Sequence, residues 1–228
     1  MEVTFLSHAL GASTPLYGGV SPEISPGSCM EAGDSSNSLM LRMTNHASTH
    51  IDVPRHFIPS GRSITDYQAS EWIFSPVVLV DVPSIEAGDL IDEGRWEALD
   101  RSAYSRDAEL VLLRTGFEKH RGAEAYWARS PGLHSSLCGA LLRAFPRLRA
   151  VGLDCISVSS LLHREEGRAA HREFLGKGLL LVEDMRLSGL KSAPKSVLLS
   201  PLLIENGDGA PVTAFAFHNE VKSVDPFP

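Results

Sequence analysis

The chain has 228 residues, a formal net charge of −7, and 43% hydrophobic and 21% charged residues. These are ordinary values for a globular protein, and the length fits one domain, 1–228, that can bury a full core. The negative charge and the lack of a basic run argue against a nucleic-acid partner and against binding to an anionic membrane surface, since phosphate charges would repel this chain.

Sequence features also bear on the compartment. The first eight residues lack the basic and apolar regions of a secretory signal, and no apolar stretch reaches the roughly 18 residues that a membrane-spanning helix needs. Cys29, Cys138 and Cys155 are odd in number and form no CxxC pair. Free thiols in a reducing compartment are therefore expected, and the protein is predicted to be cytoplasmic.

The first distinctive stretch, 10–35, is rich in glycine, proline and serine. Such a composition predicts a long loop. Two interpretations are open: a lid over a neighbouring site, because loops commonly carry function, or an ordinary surface connection.

The next segment, which begins at His46, has an unusual density of metal-ligand side chains. His46, His50, Asp52 and His56 fall within eleven residues, all at even positions. The β-branched residues between them favour an extended chain, and Pro54 excludes the middle of a helix. In a strand, a period of two places all four side chains on one face. The pattern predicts a one-sided site for zinc, manganese or iron.

The rest of the chain alternates between apolar runs and helical stretches. Buried strands are predicted at 76–82, 110–115, 148–154, 179–183 and 197–204, with a last strand at 214–218. Helices are predicted at 96–103, 135–145 and 160–175. Ser135 is the expected cap of the second helix, and Gly176 with Gly178 is expected to end the third. This alternation predicts an α/β domain with a mixed β-sheet.

Two distant residues are the best further ligands, His171 on the last predicted helix and Glu183 on the strand that follows it. A helix and its returning strand can bring these side chains to one site. Glu183 ends an apolar run, where an acid must be paired or bound to metal. The alternative for Glu183 is an acid that caps a neighbouring element.

Other polar residues give weaker signals. Asp154 follows a strand and either orients a metal ligand or makes a structural hydrogen bond. Cys155 is expected to be a buried small side chain, since no histidine is suggested as its partner. The remaining histidines are expected to be surface or hydrogen-bonded residues: His8, His120, His134, His163 and His218.

Three aromatic residues, Tyr17, Phe57 and Trp72, either line a pocket for a planar substrate or pack in the core. The sequence has no GxSxG elbow, Walker loop or GxGxxG fingerprint. Hydrolysis by a serine triad and nucleotide binding are therefore unsupported.

The segment 46–57 resembles the HxGTHxDxPxHF signature of the metal-dependent cyclase family, which includes bacterial kynurenine formamidase and isatin hydrolase. The likeness extends over most of the chain. Residues 6–8 resemble the family's opening, 113–116 a central strand, and 152–157 the strand before the last ligands. Residues 171–183 are similar to its second metal segment, with the same spacing from histidine to glutamate.

The resemblance implies a swivelling β/β/α fold and one cyclase-like hydrolase domain over 1–228. It also implies up to two divalent ions per subunit, zinc or else manganese. The first ion would be held by His46, His50 and Asp52. Asp52 and Glu183 would bridge to a second ion, which His56 and His171 approach. His56 would be the catalytic proton shuttle, and the partners would be a small-molecule substrate and a second copy of the chain in a homodimer or higher homo-oligomer.

Two positions depart from the family pattern. Ser48 stands where the family has glycine, and serine lacks the freedom of glycine at positive φ, so a different local backbone is expected. The aspartate that often follows the position of Ser157 is replaced by Ser159. The ligands themselves are untouched.

These ligands predict a hydrolase. A divalent metal lowers the pKa of bound water toward about 7 and polarises a carbonyl, and an imidazole can carry the proton. The leading hypothesis is an arylformamidase-like enzyme acting on carbon–nitrogen bonds other than peptide bonds. The alternatives are a cyclic amide or lactone hydrolase of the isatin hydrolase type, a biosynthetic cyclase, and a metal-binding protein without catalysis.

Overall fold

The computed structural model describes residues 2–218, which form thirteen strands and four α-helices. The strands are β1 Val3–Phe5, β2 Glu23–Ser28, β3 Ser38–Arg42, β4 His50–Asp52, β5 Ile73–Phe74, β6 Val77–Asp81, β7 Leu90–Ile91, β8 Leu110–Arg114, β9 Gly132–Leu133, β10 Ala150–Leu153, β11 Leu180–Glu183, β12 Ser196–Pro201 and β13 Gly209–Phe217. The helices are α1 Glu93–Glu97, α2 Glu124–Ala128, α3 Ser136–Ala144 and α4 Arg164–Gly176.

A nine-stranded sheet organises the chain, in the order β5-β12-β13-β4-β11-β10-β8-β6, with β1 also paired to β13. Strands β6, β8, β10 and β11 run parallel, whereas β4 is antiparallel to β11 and to β13. The predicted α/β domain with a mixed sheet is confirmed. Within residues 2–218, every helix is too short or too polar to traverse a lipid bilayer.

The parallel strands are apolar on both faces because each face covers a separate core. On β8, Val111 and Leu113 pack with α3 and α4, while Leu110 and Leu112 pack with β4, β12 and β13. Alternating side chains of a strand point to opposite faces, so a doubly covered strand reads as a continuous apolar run. Each fully buried leucine of this kind contributes about 1.5–3 kcal/mol.

The second and third predicted helices correspond to α3 and α4, but two details were wrong. The helix predicted at 96–103 is α1, which spans Glu93–Glu97 and whose first turn is capped by the Asp92 carboxylate on the Arg95 N–H. Because Asp92 caps the helix, α1 begins three residues before the start that the apolar pattern predicted. Ser135 precedes α3, but its side chain makes no capping hydrogen bond because its backbone is already helical.

The predicted loop at 10–35 is only partly a loop. Its second half forms β2, which pairs with β3 in a hairpin, and a short turn at Met30–Ala32. Leu39, Met40 and Leu41 on this hairpin are largely exposed. The strand was not predicted because glycine and proline lower strand propensity. In the structure, pairing with β3 outweighs that low propensity.

The metal-ligand segment is less extended than predicted. Only His50–Asp52 forms a strand, while Pro54–His56 forms a 3-10 turn that the proline begins. His46 lies in the loop before the strand, and Ser48 in that loop has a φ of 57°. Ser48 therefore adopts the left-handed conformation that favours glycine, at a cost on the order of 1–3 kcal/mol.

Candidate metal centre

The centre of the site comes from two neighbouring strands. In the antiparallel pair β4–β11, His50 lies opposite Glu183, and Asp52 lies opposite Leu181. Residues directly opposite each other point to the same face, and residues two apart on one strand share a face. The register alone therefore gathers His50, Asp52 and Glu183, all three of them buried.

Three further histidines reach this face from separate elements. His171 comes from the middle of α4, His56 from the 3-10 turn after β4, and His46 from the loop before β4. The His171 Nε2 lies 3.5 Å from an Asp52 oxygen and 3.3 Å from a Glu183 oxygen. The structure thus brings all six predicted ligands together, although they do not lie on one strand.

Interatomic distances divide the ligands into two groups that share Asp52. Among residues 2–218, ligand atoms of His50, Asp52 and Glu183 lie within 4.8 Å of one another, as do those of His46, Asp52 and His56. The His50 Nε2 is 3.2 Å from Glu183 and 3.6 Å from Asp52. The family resemblance implied instead that His46 and His50 bind the same ion. The assignment of ligands to individual ions therefore stays a prediction.

Hydrogen bonds fix the orientation of the two buried imidazoles. The Nδ1 of His50 donates to the Ser48 carbonyl at 2.8 Å, and the Nδ1 of His171 donates to the Gly167 carbonyl at 2.8 Å. Each ring is therefore left with its Nε2 facing the carboxylates. A second hydrogen bond that sets ring and tautomer is the usual support of a metal-binding histidine.

Glu183 both faces the predicted ligands and accepts hydrogen bonds from a neighbouring element, the two alternatives that its position in the sequence left open. Its Oε1 accepts hydrogen bonds from the Val158 N–H at 2.6 Å and from the Ser157 hydroxyl at 3.1 Å. Its Oε2 faces His50. The carboxylate thus holds the loop after β10 in place by hydrogen bonds. It also belongs to the cluster, the group formed by the six predicted ligands. Ser159, the second departure from the family pattern, places its hydroxyl 3.3 Å from the His171 Nδ1.

One residue of the site was missed from the sequence. Asp208 precedes β13, and its Oδ2 accepts a hydrogen bond from the His56 Nδ1 at 2.8 Å and lies 3.1 Å from the His46 Nε2. Asn45 donates to the other Asp208 oxygen at 2.7 Å. Asp208 stands in a turn-like Asn-Gly-Asp-Gly stretch, where an acid is unremarkable. Only the pairing of Gly209 with Asp52 brings it to the site.

The charges of the cluster stabilise one another. Burial raises the pKa of Glu183, as does the negative charge of Asp52, but hydrogen bonds from His171 and His50 lower it to about 2. Burial disfavours the charged histidines, yet their carboxylate partners raise the pKa of His50 to about 9 and of His171 to about 10. Without metal, the two acids are ionised and these imidazoles carry the compensating protons.

This donor set fits a divalent transition metal. Nitrogen and oxygen ligands at about 2.0–2.2 Å in tetrahedral geometry lie about 3.4 Å from one another. The Nε2 and carboxylate distances of 3.2–3.6 Å around His50 and His171 are close to that value. Two buried carboxylates together require positive charge nearby, which an ion supplies when the histidines are neutral.

The cluster lies at the base of a cavity of about 320 Å³. Part of the predicted 10–35 loop borders it, and its apolar wall consists of Pro15, Leu16, Tyr17, Val20, Phe57 and Ile156. The Phe57 ring stacks on His171 at a centroid distance of 4.7 Å. Of the three aromatic residues singled out, Tyr17 and Phe57 line the cavity. Trp72 does not, since it is buried in the second core against Tyr67.

The weaker candidates lie outside the cluster. Asp154 accepts hydrogen bonds from Thr115 and Gly116, which favours its structural role. Burial raises the pKa of the Cys155 thiol well above its ordinary value, so it remains a protonated core residue. Of the other histidines, His8 lies 3.8 Å from Glu118, His134 bonds Ser136, and His218 contacts Thr4.

Substitution of Gly209 by alanine is expected to weaken metal binding about 10–100-fold, as loss of other supporting contacts does. A Cβ on Gly209 would lie 2.5 Å from the Cε1 of His46 and 2.7 Å from the Ile51 carbonyl. The His46 ring must then move. Metal titration monitored by calorimetry tests this, with Gly189→Ala as the control because a Cβ there meets nothing within 4 Å. Wild-type affinity in Gly209→Ala would show that His46 does not require this close approach.

The metal-free protein is expected to lose stability as the pH rises from about 6.5 to 10. His50 and His171 have pKa values of about 9 and 10 in the folded state, against 6.5 for free histidine. Their contribution is complete below pH 6.5 and is lost as the pH rises through these folded-state values. The contribution of Glu183 to stability changes only between pH 4.5 and its folded-state pKa of about 2. It is therefore constant between pH 6.5 and 10.

Urea unfolding between pH 6.5 and 9.5 in the presence of a chelator measures this slope. Metal-loaded protein is the matched control. Its histidines are neutral when they bind metal, so its midpoint should not fall over the same range. A metal-free midpoint that is flat or rises with pH would contradict the paired arrangement.

Comparison with known proteins places this chain in a family. The family model described as "Putative cyclase" matches residues 4–160. A kynurenine formamidase from Bacillus cereus is 29% identical over 184 residues, covering 81% of each chain. One from Bacillus anthracis is 27% identical over 184 residues, also covering 81% of each chain.

Solved structures share the fold. Isatin hydrolase A from Ralstonia solanacearum has a TM-score of 0.80 at 21% identity, over 94% of this chain and 91% of that one. Isatin hydrolase A from Labrenzia aggregata, bound to benzyl benzoate, has a TM-score of 0.79 at 24% identity, over 96% and 94%. At these identities the likeness concerns the fold.

Proposed function

Because the chain belongs to the cyclase family, we propose that it is a metal-dependent hydrolase that cleaves the carbon–nitrogen bond of an aryl formamide or a related amide. The observation that carries this proposal is the set of four histidines and two carboxylates at the base of an apolar cavity. Kynurenine formamidases among the relatives support the same reaction class.

The proposed cofactor is a divalent ion, zinc or manganese, with up to two per subunit. The residues that would hold it are His46, His50, Asp52, His56, His171 and Glu183. When bound, such an ion lowers the pKa of water and stabilises negative charge on a carbonyl oxygen. Because four other residues can supply a full ligand set, His56 is free to act mainly on protons.

The proposed role of His56 is to move a proton between water and the leaving nitrogen. Its side chain is 26% exposed and lines the cavity, and its Nδ1 is held by Asp208. The ring therefore presents its Nε2, which lies 4.0 Å from Asp52. In this role the Nε2 accepts a proton from the attacking water and returns it to the nitrogen as the carbon–nitrogen bond breaks.

The apolar wall of the cavity would hold the aryl ring. Tyr17 and Leu16 approach from the loop before β2, and Phe57 follows directly after His56. The aromatic rings of Tyr17 and Phe57 suit a planar substrate. They would also exclude bulk water from the amide, which strengthens the electrostatic interactions of the cluster.

A cyclic amide such as isatin is the second candidate substrate. The isatin hydrolase folds at TM-scores near 0.8 favour it, and a cavity of about 320 Å³ can hold a fused planar ring. The hydrolytic step at the amide carbonyl would use the same residues. A lactone would require only oxygen instead of nitrogen as the leaving atom, whereas a biosynthetic cyclisation would require a nucleophilic atom of the substrate itself to attack in place of water.

A turnover screen of the metal-loaded protein with N-formylkynurenine, isatin and simple lactones tests the proposal. Fastest turnover of N-formylkynurenine is expected, with release of formate. Preference for isatin would select the second candidate. Metal content without turnover of any of these substrates would favour a metal-binding protein without catalysis.

The homodimer or higher homo-oligomer and the cytoplasmic location remain proposals that rest on the family resemblance and on the composition. The proposed partner at the site is a small molecule.

A further inference from the structure

Two arginines lie on the same face of α4 as the cluster residue His171. Arg164 and Arg168 both line the cavity, together with His171. Positions 164, 168 and 171 are spaced i, i+4 and i+7, so they share one face of the helix. At about 1.5 Å per residue, the backbone positions of Arg168 and Arg164 lie about 4.5 and 10.5 Å, respectively, from that of His171 along the helix axis.

The positive charge of these arginines is not neutralised within the cavity. Its acidic lining residues are Asp52, Glu183 and Asp184, of which the first two face the histidine cluster. Asp184 is bound by Arg121 at 2.8 Å. The mouth of the cavity is therefore cationic, in a chain whose net charge is −7.

The two arginines differ in how free they are. Arg164 forms no salt bridge within the described residues 2–218. Arg168 contacts Glu165 at 2.6 Å, but that carboxylate is 84% exposed, so the pair is weak and can be exchanged. Both guanidinium groups are thus available to a ligand.

Tyr17 adds an aromatic side chain near Arg164. It belongs to the apolar wall of the cavity and lies close to Arg164. Burial raises the pKa of the Tyr17 phenol, and the nearby charge of Arg164 opposes that rise. An aromatic side chain next to a guanidinium suits a planar ring that bears an anionic group.

We propose that Arg164 and Arg168 bind a carboxylate of the substrate while its amide lies at the histidine cluster. The preferred substrates are then aryl amides that carry a carboxylate. Guanidinium groups pair with carboxylates through two parallel hydrogen bonds, which fixes orientation as well as affinity. This inference rests on the proposed hydrolase function, because the cluster must be where the amide reacts.

A binding experiment tests the arginines without relying on turnover. Metal-loaded protein is titrated with 2-aminobenzoate and with the neutral 2-aminobenzamide. The wild type should bind the anion at least tenfold more tightly. Arg164→Gln/Arg168→Gln should lose that preference, whereas Arg172→Gln should keep it, since Arg172 is exposed on α4 but outside the cavity.

A kinetic experiment then separates this inference from the function. For 2-formamidobenzoate, kcat/KM should fall about tenfold or more in the double variant, while for 2-formamidobenzamide it should change less than twofold. Anion preference that is lost in the double variant, without hydrolysis of either formamide by the wild type, would support the anion site and overturn the reaction. Hydrolysis with no anion preference, or a preference that survives in the double variant, would overturn the arginine site alone. Absence of both binding and hydrolysis would overturn both.

Discussion

Replacement of His56 by alanine is expected to lower turnover by a factor on the order of 10²–10⁴ while the protein keeps at least one metal ion. That loss is the usual contribution of a positioned acid–base group. The metal should remain because His50, Asp52, His171 and Glu183 approach one another without His56. Steady-state kinetics with elemental analysis of the same sample measures both quantities.

Asp208→Asn is the matched variant for His56. The amide can still contact the His56 Nδ1 but carries no negative charge, so the ring is held less firmly and a smaller loss of about 10–100-fold is expected. Near-wild-type turnover of His56→Ala with full metal would remove His56 from the mechanism.

Substitution of His50 or Asp52 by alanine is expected to remove nearly all bound metal and, with it, all activity. Asp52 is the residue that both geometric groups share, and His50 contacts both buried carboxylates. Since loss of an outer contact alone costs about 10–100-fold in affinity, loss of a ligand should cost more.

His134→Ala and His163→Ala are the controls for these metal-site variants. His163 is exposed, and among residues 2–218 His134 forms one contact with a carboxylate, that of Glu166 at 3.6 Å. Both variants should retain wild-type metal content in elemental analysis. Equal retention in all four variants would mean that the metal binds elsewhere.

The cluster could be predicted from the sequence because its ligands are dense and its strands are regular. Spacing of two along the β4 segment placed His50 and Asp52 on one face. The buried acid at the end of an apolar run marked Glu183 as requiring partners. The covered parallel strands were predictable for the same reason, since their apolar runs are continuous.

The sequence did not reveal one residue of the site or the local backbone of three others, because these depend on pairing between distant segments and on turns. Asp208 enters the site only because β13 pairs with β4, and its local Asn-Gly-Asp-Gly sequence is typical of a turn. His46 and His56 reach the cluster through a loop and a 3-10 turn rather than through a strand. The left-handed conformation of Ser48 is held by its surroundings, against the preference of serine.

The most direct measurement titrates the chelated, metal-free protein with zinc or manganese and follows hydrolysis of N-formylkynurenine at each addition. Turnover is predicted to be negligible without metal, to rise with added ion, and to reach a plateau at no more than two equivalents per subunit. Full turnover by the metal-free protein would contradict metal-dependent hydrolysis at this cluster, as would a failure of added metal to restore any activity.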